Sequence, residues 1–115
     1  MKDVSGVIRY RDRDYKLVFN INVMEALQEE YGTLDKWGEL TDGSKGEPNA
    51  KAIKFGFMQM LNEGIEIEND ENGTNNPLLT LKQVGRMITE YGLDNITSVM
   101  NETVIESSKS AEKNL

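Results

Sequence analysis

The chain has 115 residues, 20 acidic against 13 basic side chains, a net charge of −7, and neither cysteine nor histidine. That length fits one domain, and a chain of this size buries roughly 65% of the surface it exposes when unfolded, enough for a core without covalent staples. The composition excludes disulfides, thiolate nucleophiles and metal sites built on thiolate or imidazole, and the acidic balance repels nucleic-acid backbones.

No apolar run approaches the ~20 residues that a membrane span requires. Met1-Lys2-Asp3 leads straight into a strand pattern with no apolar leader region. The expectation is a cytoplasmic single domain over residues 1–106, with a disordered tail at 107–115.

A β-hairpin is predicted over residues 4–19. VSGVIRY (4–10) favours an extended chain, RDRD (11–14) suits a turn, and YKLVF (15–19) alternates. Tyr15, Leu17 and Phe19 share one face with Ile8 and Tyr10, while Lys16 and Val18 take the other. Two strands alone are marginally stable. The hairpin must therefore lie flat on the helices, or lie on them and leave an edge open to a strand from another chain.

The period then changes from two to that of a helix. Asn20 or Asn22 can cap a first helix whose stripe is Val23, Met24, Leu27 and Tyr31, stopped by Gly32. Thr33 can cap a short second helix carrying Leu34, Trp37 and Leu40. TDGSKGEP (41–48) is a loop. A third helix is predicted from about Asn49 to Gly64, with Ala50, Ile53, Phe57, Met60 and Leu61 inward.

EGIEIENDENGTNNP (63–77) holds five acids and no base and reads as a mobile loop, with a short strand at Ile65–Ile67 as an alternative. Thr80 caps a fourth helix with Leu81, Val84, Ile88 and Tyr91 inward and Gly92 as its stop. A fifth helix follows Asp94 with Ile96, Val99, Met100 and Val104. The expected fold class is α+β, mainly α: an N-terminal hairpin packed on about five short helices.

Chemical signals are few. Glu68, Asp70 and Asn72 followed by Gly73 resemble half of a calcium-binding loop, but Leu79 stands where a bidentate Glu is needed and Pro77 interrupts. Ser110-x-x-Lys113 has serine–lysine spacing without a surrounding pocket. Three Asn-x-Thr sequons, at Asn72, Asn95 and Asn101, have no secretory context. Arg9, Arg11 and Arg13 are balanced by Asp12 and Asp14. No carboxylate pair is framed for acid–base work. The reading is non-catalytic, with no cofactor and no metal.

What remains is apolar surface. Phe55 and Met58 fall off the stripe of the third helix, and Met24, Met58, Met60, Met87 and Met100 supply adaptable side chains suited to surfaces that repack around partners. The competing reading is that the third helix is central and buried on both sides.

The order of these pieces resembles the tail assembly chaperones of long-tailed bacteriophages and of gene transfer agents. The resemblance covers residues 5–106. It rests on YKLVFNINVMEALQEEYG at the strand-to-helix entry, on IKFGFMQML, and most specifically on LTLKQVGRMITEYG over Leu79–Gly92. Lys82-Gln83 stand where that family carries an acidic pair.

The resemblance implies a protein of the host bacterial cytoplasm that binds the tail tube or tape measure protein before assembly and is absent from the finished virion. Relatives are often also made in a longer, frameshifted form. The acidic balance and the lack of a long apolar run argue for neither a nucleic-acid nor a membrane partner. Tyr10, Tyr15 and Val18 on the hairpin, with Phe55 and Met58, are the candidate partner-binding residues. A head–tail connector or tail completion protein that stays in the particle is the alternative.

Overall fold

Ile8 and Leu17 anchor the hairpin: both are fully buried, and Tyr10, Tyr15 and Phe19 pack half-buried against the same core. The computed structural model describes residues 6–113, so Val4 and Ser5 of the predicted first strand lie outside the described residues. β1 (Val7–Tyr10) and β2 (Arg13–Lys16) pair antiparallel, Ile8 opposite Tyr15 and Arg9 opposite Asp14. A one-residue slip would turn Ile8 and Tyr15 to solvent, which pins the register.

The turn is tighter than the sequence suggests. Arg11 and Asp12 form a two-residue loop with φ of 50° and 65°. Both are left-handed, as a primed hairpin turn requires. Arg13 and Asp14 belong to β2 instead of the turn because their charges find partners there. Arg9 donates to Asp14 at 2.8 Å, and Arg13 stacks on the Tyr15 ring and approaches Glu68 at 3.5 Å.

β2 also ends earlier than predicted. Leu17 still donates to Gly6 O, but Val18 leaves the ladder and donates to Met60 O in the third helix at 3.2 Å. That approach needs Gly64, where a Cβ would stand 2.5 Å from Lys16 O.

Among the described residues five helices follow, so the fold is α+β and mainly helical. α1 (Ile21–Tyr31) is capped by Asn20, α2 (Leu34–Asp42) by Thr33 and α3 (Ala50–Asn72) by Asn49. α4 (Leu81–Tyr91) opens on a capping box in which Thr80 and Gln83 satisfy each other's backbone N–H. α5 spans Leu93–Lys113. α3 is the hub, touching α1, α2, α4, α5 and β2. Its Ile53, Phe57, Met60 and Leu61 are buried, with Val84 and Met87 from α4 and Ile96 and Met100 from α5 beside them.

The predicted acidic loop is largely helix. α3 continues through residues 63–72 and ends at Gly73, φ 64°. Tertiary bonds hold this extension. The Glu63 carboxylate accepts from the Asn20 and Asn22 side chains at 2.7 and 3.1 Å. Ile65, read as loop or strand, is buried.

The chain then returns along α3 as an extended segment, 74–80, stapled at two points. The Asn62 amide donates to Leu79 O and accepts from Leu79 N at 3.0 and 2.8 Å. The Asn69 amide treats Asn76 the same way, both at 3.0 Å. Each asparagine satisfies a backbone pair that helix and sheet leave unpaired.

Three further expectations change. Ala50 and Leu81, predicted inward, are exposed, since each opens its helix before it reaches a neighbour. Residues 107–113, predicted as disordered tail, continue α5, and the Ser107 hydroxyl donates to Phe19 O at 3.0 Å. Residues 114–115 lie outside the described residues, as do the side chains of Ser110 and Lys113.

Candidate functional site

The hairpin has two edges with different fates. A two-residue loop makes Tyr10 and Arg13 a hydrogen-bonded pair, and alternation makes Ile8 and Tyr15 the next. The N–H and C=O groups of Val7 and Arg9 therefore point away from β2. The outer edge of β2 runs against α3 at Met60 and Gly64. Among the described residues nothing bonds to the outer edge of β1, and the Val7 side chain there is 48% exposed. An unpaired edge is a template for a strand from another chain.

All five sequence-predicted contact residues are half-buried. Tyr10 and Tyr15 rest on the core through the hairpin face, and Val18 sits where the backbone joins α3. Phe55 meets Tyr31 edge to face, with ring centroids 5.8 Å apart, which ties it to α1. Met58 also packs against the core. None of the five stands free at the surface.

Charge is segregated. Tyr10 and Arg11 line a shallow concavity with Lys54, Lys82 and Arg86, where Glu90 is the acid. The opposite sign gathers at a larger groove of about 770 Å³ between α2 and the first half of α5. Leu34, Met100 and Val104 lie along it, and the edge of the buried Trp37 reaches it. The Ser44 backbone and hydroxyl hold the nearby Asp42 carboxyl below the usual carboxylate range.

Glu68 and Asp70, candidate ligands on a loop, instead lie two residues apart on α3. That spacing turns them about 200° from each other. No cluster of three or more potential ligands occurs among the described residues, and none of their helices is long and apolar enough to cross a membrane.

Sequence reasoning missed the groove altogether, because its two walls, residues 34–42 and 93–104, are more than fifty positions apart in the chain. It also passed over Val7, although strand alternation places Val7 opposite in direction to Ile8. Ile21, 73% exposed in the first turn of α1, carried no such signal.

The fold thus defines a mainly helical α+β protein with, among the described residues, an open strand edge and an acidic groove. Compared with models of known protein families, with curated proteins and with solved structures, the chain matches none.

Proposed function

We propose that the chain is a non-catalytic tail assembly chaperone of a long-tailed bacteriophage or prophage. In this reading it binds the tail tube or tape measure protein in the host cytoplasm, prevents premature assembly, and is absent from the mature virion. The motif order over residues 5–106 supports the reading, and the open edge of β1 is the observation that carries it. A subunit that polymerises by pairing strands is held back when one added strand covers its edge. The net charge of −7 keeps such a complex apart from others of its kind.

The test is light scattering on a sizing column, with the chain alone and then mixed with the tail tube subunit or the tape measure protein encoded beside it. A discrete complex that suppresses tube polymerisation is expected. Absence of a complex with either client overturns the reading. Recovery of the chain from purified virions by mass spectrometry would favour the connector alternative.

A further inference from the structure

We propose that the groove between α2 and the first half of α5 docks a cationic amphipathic helix of a protein partner. The site is separate from the hairpin edge, and no residue of β1 or β2 lines it. Four carboxylates rim the groove, from Asp35, Glu39, Asp42 and Asp94, and no cationic side chain lines it among the described residues. None of the four makes a salt bridge among the described residues.

Two of these acids have a local reason to be there. Asp35 and Asp94 sit in the first turns of α2 and α5, where the helix dipole favours a negative charge. A third, Asp42 at the end of α2, accepts from the Ser44 N–H at 2.8 Å. Glu39 makes no hydrogen bond or salt bridge among the described residues, which leaves its charge open to a cation from a partner.

Half-buried Leu34 and Val104 present apolar surface in the groove above the buried Met100, and Leu93, which also lines it, is 43% exposed. Apolar floor and acidic rim together match a helix with one apolar face and flanking lysines or arginines. A second copy docked groove to groove is a poor occupant, because the two acidic rims would oppose each other, and a copy offering its basic concavity instead would show as a dimer that weakens when the rim is neutralised.

Trp37 is the chain's single tryptophan and lines the groove, so its emission reads occupancy directly. The probe is a synthetic helical peptide with one leucine face and one lysine face, titrated into the whole chain. Two triple variants carry the test. Asp35→Asn/Glu39→Gln/Asp94→Asn neutralises the rim, and Glu66→Gln/Asp70→Asn/Glu71→Gln removes the same charge from the exposed side of α3. Circular dichroism checks that both are folded.

A saturable change in Trp37 emission is expected. Binding should weaken about tenfold in the rim variant, the combined effect of three partly screened charges, and less than about twofold in the α3 variant. No saturable change overturns the proposal. So does equal weakening in both variants, which would mean attraction to net charge alone. A dimer by light scattering that strengthens in the rim variant would assign the groove to a second copy instead.

Discussion

Trp37 occupies the space that Gly56 leaves on α3: a Cβ at Gly56 would lie 2.8 Å from Cε2 and 2.9 Å from Nε1 of the indole. The indole N–H donates to Ala52 O at 2.9 Å, one turn earlier on the same helix. This contact locks α2 onto α3 and sets one wall of the acidic groove. Gly56→Ala gains helix propensity worth about 1 kcal/mol. It also forces the indole out of a packed site, and overpacking costs typically about 1–3 kcal/mol. The expected result is net destabilisation with a shifted Trp37 emission spectrum, measured by urea unfolding.

The two asparagine staples make a second prediction. Asn62→Ala leaves the Leu79 N–H and C=O without partners in a half-buried position. The cost should be about 1–3 kcal/mol, and the segment 74–80 should lose protection. Hydrogen exchange reads this directly. Asn62→Asp keeps the acceptor and loses the donor, so it should restore the Leu79 N–H protection in part.

Tyr31 gives a prediction with a pH sign. Its hydroxyl is shielded from solvent and unpartnered among the described residues. Burial, reinforced by the Glu30 charge, raises its pKa above 10.0. The folded state therefore prefers the neutral phenol. Its contribution is intact below the unfolded pKa of about 10 and is lost as pH rises from there through the higher folded value. Tyr31→Phe removes the orphaned hydroxyl and keeps the ring on Phe55. Stability at neutral pH should stay level or rise by up to about 1 kcal/mol. The alkaline decline of the melting temperature should become shallower.

The open edge predicts a selective loss of function. Arg9→Pro removes an N–H that points away from β2, so the hairpin ladder keeps its bonds. Client binding on the sizing column should be abolished with little change in circular dichroism. Arg9→Ala, which loses only the exposed pair with Asp14, should bind as wild type. If both variants bind equally, the client does not use this edge.

Phe55 and Met58 carry a combined test. Phe55→Leu keeps apolar volume and loses the edge-to-face contact with Tyr31, for a stability loss of about 1 kcal/mol. Replacing both residues with Ser should cost more, because both pack against the core. A partner contact at this place requires weaker client binding by a double variant that is still folded at the assay temperature.

Local chemistry was sufficient to read much of the fold from the sequence. Asn20, Thr33, Asn49 and Thr80 cap their helices as their types demand, with Asn20 taking the place that Asn22 could also have filled. Gly32 and Gly92 end α1 and α4. Val23, Leu27, Ile53, Phe57, Val84 and Ile96 are buried where periodicity places them. Caps and stripes act within a turn or two, so one stretch of chain holds all the information.

Tertiary structure decided the rest. Residues 63–72 continue the apolar stripe of α3 only at Ile65, one turn past Leu61, and apart from Gly64 and Ile67 are otherwise polar. They are helical because Asn20 and Asn22, some forty positions earlier, reach the Glu63 carboxylate, and because the returning segment is stapled to Asn62 and Asn69. Gly64 reads as a helix stop, yet its missing side chain admits Lys16 and Val18 of the outgoing hairpin strand. The open edge of β1 and the acidic groove follow from which surfaces α3 covers and which it leaves bare. Both depend on contacts between residues far apart in the chain, and no local pattern records them.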